Sequence, residues 1–366
     1  MSSSSAAHPS TPSTVWLTRG LHTGSAPGEV VRGYLQRLKE TEEIVDFLEL
    51  GEDVRPPGLL VFEGRWTVAE EVTVRARLEI AEDAERGAAR PWALVAEAEE
   101  PWNRRWPSPA TRFWSEEPWE IDGQWDHSQV AGLRFREANA LPSDDKDLRR
   151  VLKSAMRDDW SIHVVVHEAM TPDARGRLPL SRFLTEGVRD RVVEHRASPQ
   201  QLRAVNWVLK ESRAELPRGG AVILPHGDVD PSDFAVRTVF LDGSEPSELV
   251  EAITRFTTVP QQLPDDADAL LTALREDWHL LTLREELERE RQLVAMYADA
   301  LDAMTKSRDL YREAAERAHE ALEVFRESAG VVDSVSEPTP ARPAVSPFQQ
   351  ITRTFERFKL PKKPGD

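Results

Sequence analysis

Three groups of residues carry side chains able to do chemistry: His226-Gly227-Asp228, the pair His163 and His167, and the tryptophans between Trp92 and Trp125. His226 and Asp228 follow the apolar run Ala221 to Leu224, and catalytic His and Asp residues gather on loops at strand ends. A histidine beside a carboxylate can move a proton during hydrolysis. Asp228, Asp230 and Asp233 also carry the oxygen atoms that a hard cation takes. His195 joins them only if the fold brings it near. The plainer reading of this stretch is a polar turn built from Gly, Pro and Asp.

His163 and His167 bracket Val164, Val165 and Val166, a β-forming run, with Glu168 next. The zinc pattern H-E-x-x-H needs a helix to bring its two histidines within chelating reach. On a strand the same spacing leaves them about 13 Å apart, at roughly 3.3 Å per residue. One ion cannot span that. Two partly exposed strand histidines are expected, and no metal or other cofactor. Neither G-x-S-x-G nor G-x-x-x-x-G-K-[ST] nor G-x-G-x-x-G occurs, so no hydrolase elbow or phosphate loop is signalled.

Six of the eleven tryptophans lie between Trp92 and Trp125, interleaved with Pro101, Pro107, Pro109 and Pro118. Trp102, Trp106, Trp114 and Trp119 offer flat apolar faces on which a sugar, base or peptide can stack, which makes a carbohydrate or peptide binder one reading. The alternative, which the proline density favours, is that they pin an irregular loop onto a sheet. Arg104, Arg105 and Arg112 suit an anionic ligand, but Glu99, Glu100, Glu116 and Glu117 stand beside them.

The elements that must position these residues are read from periodicity. The 366-residue chain has room for two modules and a helix, and its net charge of −17 argues against a general nucleic-acid binder. It has no cysteine, which excludes disulfides and thiolate chemistry and fits a reducing compartment. No apolar run reaches the roughly 18 residues of a membrane span, so a cytoplasmic protein is expected. Arg outweighs Lys and Ala is abundant, a bias suited to a GC-rich bacterial genome.

Residues 1–14 read as a disordered tail. An α+β module, 15–128, is expected next: a short strand at Val15, a helix from Glu29 to about Leu50, then strands at 59–62, 66–80 and 92–98. In the second of these, Val72, Val74, Ala76, Leu78 and Ile80 alternate with Thr73, Arg75, Arg77 and Glu79, giving a half-buried strand with a wet face. A mixed α/β sandwich, 129–260, follows. It has expected strands at 130–135, 161–168, 192–195, 221–224 and 234–241, a helix capped by Ser143, another started by Ser198, Pro199 and Gln201, and a third over 247–256.

Asp265 to Ala329 holds no Gly or Pro, and one unbroken helix there would reach about 95 Å. With Leu280 at heptad position a, the a row runs Leu280, Leu287, Val294, Leu301, Arg308, Ala315, Leu322. The d row runs Leu283, Glu290, Tyr297, Met304, Tyr311, Ala318, Phe325. That is a coiled-coil-like seam, pairing with itself or a partner, or else packing on its own chain with a bend at Thr305 to Ser307. A Pro/Ser/Ala linker, 330–347, leads to a basic amphipathic tail. Phe348, Ile351, Phe355 and Phe358 form its apolar stripe, surrounded by Arg353, Arg357, Lys359, Lys362 and Lys363. Such a tail suits a protein groove or an anionic membrane surface. The expected function is a non-enzymatic adaptor or accessory subunit of a bacterial multiprotein system. The rival is a hydrolase, metal-dependent or not, that uses His226, Asp228 and His195.

Overall fold

The computed structural model describes residues 10–82, 89–115, 124–127, 130, 132–170, 177–225, 230–241 and 245–330. Contacts divide the chain after Thr282 into two units, and the class is α+β.

In the first unit, β1 (Val15–His22) and α1 (Pro27–Glu40) precede the strands β2 (Asp46–Glu49), β3 (Leu59–Val68), β4 (Val72–Ala81) and β5 (Arg90–Ala98), with β6 (Trp125–His127) last. They form an antiparallel sheet in the order β2-β3-β4-β5-β1-β6. The helix expected to reach Leu50 stops at Glu40, because Glu42 takes a left-handed φ of 60° and Asp46–Glu49 pairs with β3 instead. The single strand expected over 66–80 is a hairpin that turns at Ala69 and Glu70, both with positive φ. Its alternation survives the turn because Val68 faces Val72 across the pair. One face of this sheet packs Val74, Ala76, Leu78 and Ile80 against Val31, Leu35 and Leu38 of α1, with Trp16, Trp66 and Trp92 between them.

A second sheet contains β7 (Ala138–Ala140), β8 (Ile162–His167), β9 (Val192–Ala197), β10 (Ala221–Ile223) and β11 (Ala235–Val236), in the order β11-β10-β8-β9-β7. β7, β8 and β9 run parallel, while β10 and β11 are antiparallel, so the sheet is mixed. Helices cover both faces. α2 (Asp145–Ala155) and α4 (Leu202–Leu209) meet Val165 and Val222 on one side. α3 (Glu186–Arg189) and α5 (Ser247–Phe256) meet Ile162, Val164 and Val166 on the other. Asp144, one residue past the expected Ser143, caps α2 by accepting from the N–H groups of Lys146 and Asp147. Gln201 accepts from the Ser198 N–H, the reciprocal bond of a capping box. No strand forms at 130–135 among its described residues, where only an isolated bridge joins Asp126 to Arg134, and 234–241 contributes two strand residues.

The stretch 265–329 is two helices. α6 (Ala267–Glu276) buries Leu270, Leu271 and Leu274 against Leu17 and Val95, on the face of the first sheet expected to be wet. Trp278 and Leu280 follow into the same cluster. The break has a specific cause. Glu63, fully buried on β3, accepts the backbone N–H groups of His279 and Leu280, each at 2.8 Å, and pairs with Arg77 at 3.2 Å. Those N–H groups would otherwise feed a helical ladder. Arg275 adds a bidentate grip on Glu97. Leu280, assigned to the coiled-coil seam from its spacing, is therefore a core residue.

In the second unit, α7 (Leu283–Gly330) has 48 residues and runs through Thr305 and Ser307 without the expected bend. At 1.5 Å per residue it spans about 72 Å. The pairs Asp302–Lys306, Arg312–Glu316 and Glu313–Arg317, four apart, support it locally.

Candidate functional site

His163 sits on β8 and His195 on the neighbouring β9, on the same face of the second sheet. His163 Nδ1 lies 2.9 Å from His195 Nε2, and His163 Nε2 lies 3.0 Å from an Asp158 carboxylate oxygen. The rings stack at 5.2 Å. One proton lies between His163 Nδ1 and His195 Nε2, and the ring tautomers decide which nitrogen donates it. His195 Nδ1 and both ring nitrogens of His127 are buried without a hydrogen-bond partner among the described residues. Burial, then repulsion from His163, pushes His195 well below the usual imidazole range. His127 is lowered in the same way, with His195 adding to the repulsion. Burial works to raise the Asp158 carboxyl, but the hydrogen bond and charge of His163, with Arg19 and the Trp160 N–H, outweigh it and hold the group low.

Asp158 and Trp160 carry this cluster across to the first sheet. Arg19 of β1 lies 3.8 Å from Asp158 and 2.6 Å from Asp266, just ahead of α6. The Trp160 indole N–H donates to Asp266 at 2.8 Å, beneath the Arg19 guanidinium. Asp266 stands at the start of α6, but its carboxylate makes no cap bond to that helix and joins the sheets. Nothing in the spacing of Asp158, five residues before His163, signals its role. Among the described residues no group of three His, Asp or Glu is arranged to hold a metal.

His163 and His167 are buried, not partly exposed as their sequence context implies, because α2 and α4 cover that face of β8. His167 has partners of its own: Nδ1 accepts the N–H groups of Ala169 and Gly219. His195 is brought to His163, while His226 and Asp228 lie outside the described residues. Asp230 accepts from the Ser232 N–H and so caps a short turn.

Of the tryptophans, Trp106 and Trp114 are buried in the first sheet's core, with Trp114 stacked on Trp125 at 4.3 Å. Protein covers them. Trp102 is partly exposed and lines a cavity with Arg104. Trp119 lies outside the described residues.

Most of the large apolar side chains exposed in the described chain lie on α7. Leu287 is 52% exposed, Val294 65%, Leu301 65%, Met304 69%, Leu322 62% and Phe325 70%. Phe348, Ile351, Phe355, Phe358 and the basic residues of the tail lie outside the described residues. No described helix is long and apolar enough to cross a membrane. No family model matches this chain, and no curated protein is significantly similar to it.

Proposed function

We propose that this chain is a non-enzymatic assembly protein. α7 pairs in parallel with copies of itself, and the basic tail docks on an anionic surface, whether a membrane or an acidic protein groove. One observation carries the reading: a 48-residue helix that leaves its a and d residues, Leu287 to Phe325, in water. Exposed apolar surface on this scale marks an interface, and a helix of this kind gains most of its stability from packing.

Charge selects the orientation. With the heptad above, position e holds Arg284, Arg291, Ala298, Thr305, Arg312, His319 and Arg326, while position g holds Glu286 and then Leu293, Ala300, Ser307, Ala314, Ala321 and Ser328. Antiparallel copies would set e beside e and oppose cation to cation. Parallel copies set e beside g, where Glu286 meets Arg291 and the other g residues are neutral. Met296, Leu310 and Val324 at position c widen the apolar arc beyond a two-stranded seam and favour three or more strands.

Light scattering on the full chain tests this. A mass at least three times that of one chain is expected at micromolar concentration. Leu301→Lys with Met304→Lys is expected to weaken assembly by about a hundredfold or more, since each seam residue is worth about 1.5–3 kcal/mol when buried. A wild-type monomer across that range would exclude self-assembly.

A further inference from the structure

A cavity of about 440 Å³ opens where the N-terminal segment 10–15, the loop after β5, α3 and the loop after α5 meet. Backbone hydrogen bonds fix its walls. Thr11 N donates to Gln261 O at 3.0 Å, Trp102 N to Ser13 O at 2.8 Å, and Gly187 N to Arg104 O at 2.7 Å.

Two arginines line this cavity, Arg104 and Arg191, and no Asp or Glu does. Neither side chain makes an ion pair or hydrogen bond among the described residues. Elsewhere in the same unit, Arg77 has Glu63, Arg136 has Asp190 and Arg196 has Glu194, while Arg189 donates to the Leu184 carbonyl. On a chain of net charge −17, a cavity lined by cations alone is a departure from its surroundings. Arg191 Nε is buried without a partner, and burial pushes the group's pKa down to about 10. Withdrawing a cation from water is costly unless an anion meets it. Glu99, which argued against an anion site from its place in the sequence, accepts from the Thr73 N–H and does not line the cavity.

Trp102 supplies the second half of the site. Its indole N–H is buried without a partner, and Trp106 holds the ring edge-on at 5.4 Å and 80°. Val188, Val259 and Pro260 extend the apolar wall. The volume lies within the range of small-molecule sites.

We infer that this cavity binds a small organic oxyanion, a carboxylate or phosphate carried on a flat apolar body, with Arg104 and Arg191 taking the oxygen atoms and Trp102 the body. The planar guanidinium fork matches either oxyanion through two parallel N–H donors. The site is independent of α7 and stands whether or not the chain self-assembles.

Calorimetric titration of the full chain with phenyl phosphate, benzoate, inorganic phosphate and benzyl alcohol tests the assignment. Phenyl phosphate or benzoate is expected to saturate one site per chain and to bind more weakly as salt rises from about 50 to about 500 mM, while neutral benzyl alcohol gives no saturation. The tighter of the two anions identifies the oxyanion. Arg191→Gln and Arg104→Gln should each weaken binding about tenfold or more without lowering the melting midpoint. Trp102→Leu should weaken phenyl phosphate and leave inorganic phosphate as it was. Should Arg191→Gln fail to fold, Arg104→Gln decides alone, because the Arg104 side chain makes no hydrogen bond or ion pair among the described residues. Silence of both anions on the wild-type chain, or equal binding to the Arg104→Gln/Arg191→Gln double variant, overturns the site.

Discussion

At the scale of residues, the buried histidines set how stability responds to pH. His127 and His195 have folded pKa values pushed well below the usual 6.5, so the folded chain keeps them neutral where the unfolded chain protonates them. Unfolding then takes up protons. The stability they allow is fully present above about pH 6.5 and declines as pH falls through it, by roughly 1.4 kcal/mol per pH unit for each group. Asp158, held low, has the carboxylate pattern: its contribution is present above the usual carboxyl range and is lost only in acid below it. The two windows are separate. Urea unfolding at pH 5.5 should therefore give a free energy about 3 kcal/mol below that at pH 7.5, and a flat profile between them would contradict buried neutral imidazoles. The strand around His163 is legible from the valines beside it, but its partners are not, because Asp158 and His195 reach it through chain turns that leave no trace in spacing.

At the scale of elements, one carboxylate decides where a helix ends. Residues 265–329 hold no Gly or Pro and read as one helix by composition, with Asp277, Trp278, His279 and Thr282 as weak formers within it. Glu63 overrides this by accepting two backbone N–H groups while neutralising Arg77, and Trp278 and Leu280 turn into the first sheet's second face. Glu63→Ala would leave the Arg77 guanidinium buried with Glu79 as its remaining carboxylate partner. A loss of about 3–5 kcal/mol by urea titration is expected, with faster amide exchange at His279 and Leu280. Unchanged exchange there would mean that the strap is held by Trp278 and Leu280 alone. The same contacts explain why the alternation of β4 misled about exposure. A pattern of apolar and charged residues reports which side chains share a face, while burial of the charged face depends on what a distant segment brings to it.

At the scale of the whole molecule, the two units differ in what holds them. Residues 10–282 carry four apolar clusters of buried side chains, whereas every described side chain of α7 is exposed except the partly buried Leu293. The first unit should unfold at a temperature independent of protein concentration. The helicity of α7 depends on partners and should follow mass action. Circular dichroism at 222 nm over a hundredfold dilution is expected to show a low-temperature loss that grows with dilution, ahead of a fixed main transition. A melting curve that superimposes at all concentrations would show that α7 needs no partner.

The α+β class, the long helix from Leu283 onward, most strands and the starts of α4 and α5 were determined by the sequence itself, because periodicity and Pro placement act over a few neighbouring positions. The break at Asp277, the burial of His163, Arg77 and Glu63, and the meeting of Arg104 with Arg191 were decided only by tertiary structure. Each depends on groups brought together from distant parts of the chain, and a buried charge or imidazole is tolerated only where such a partner arrives.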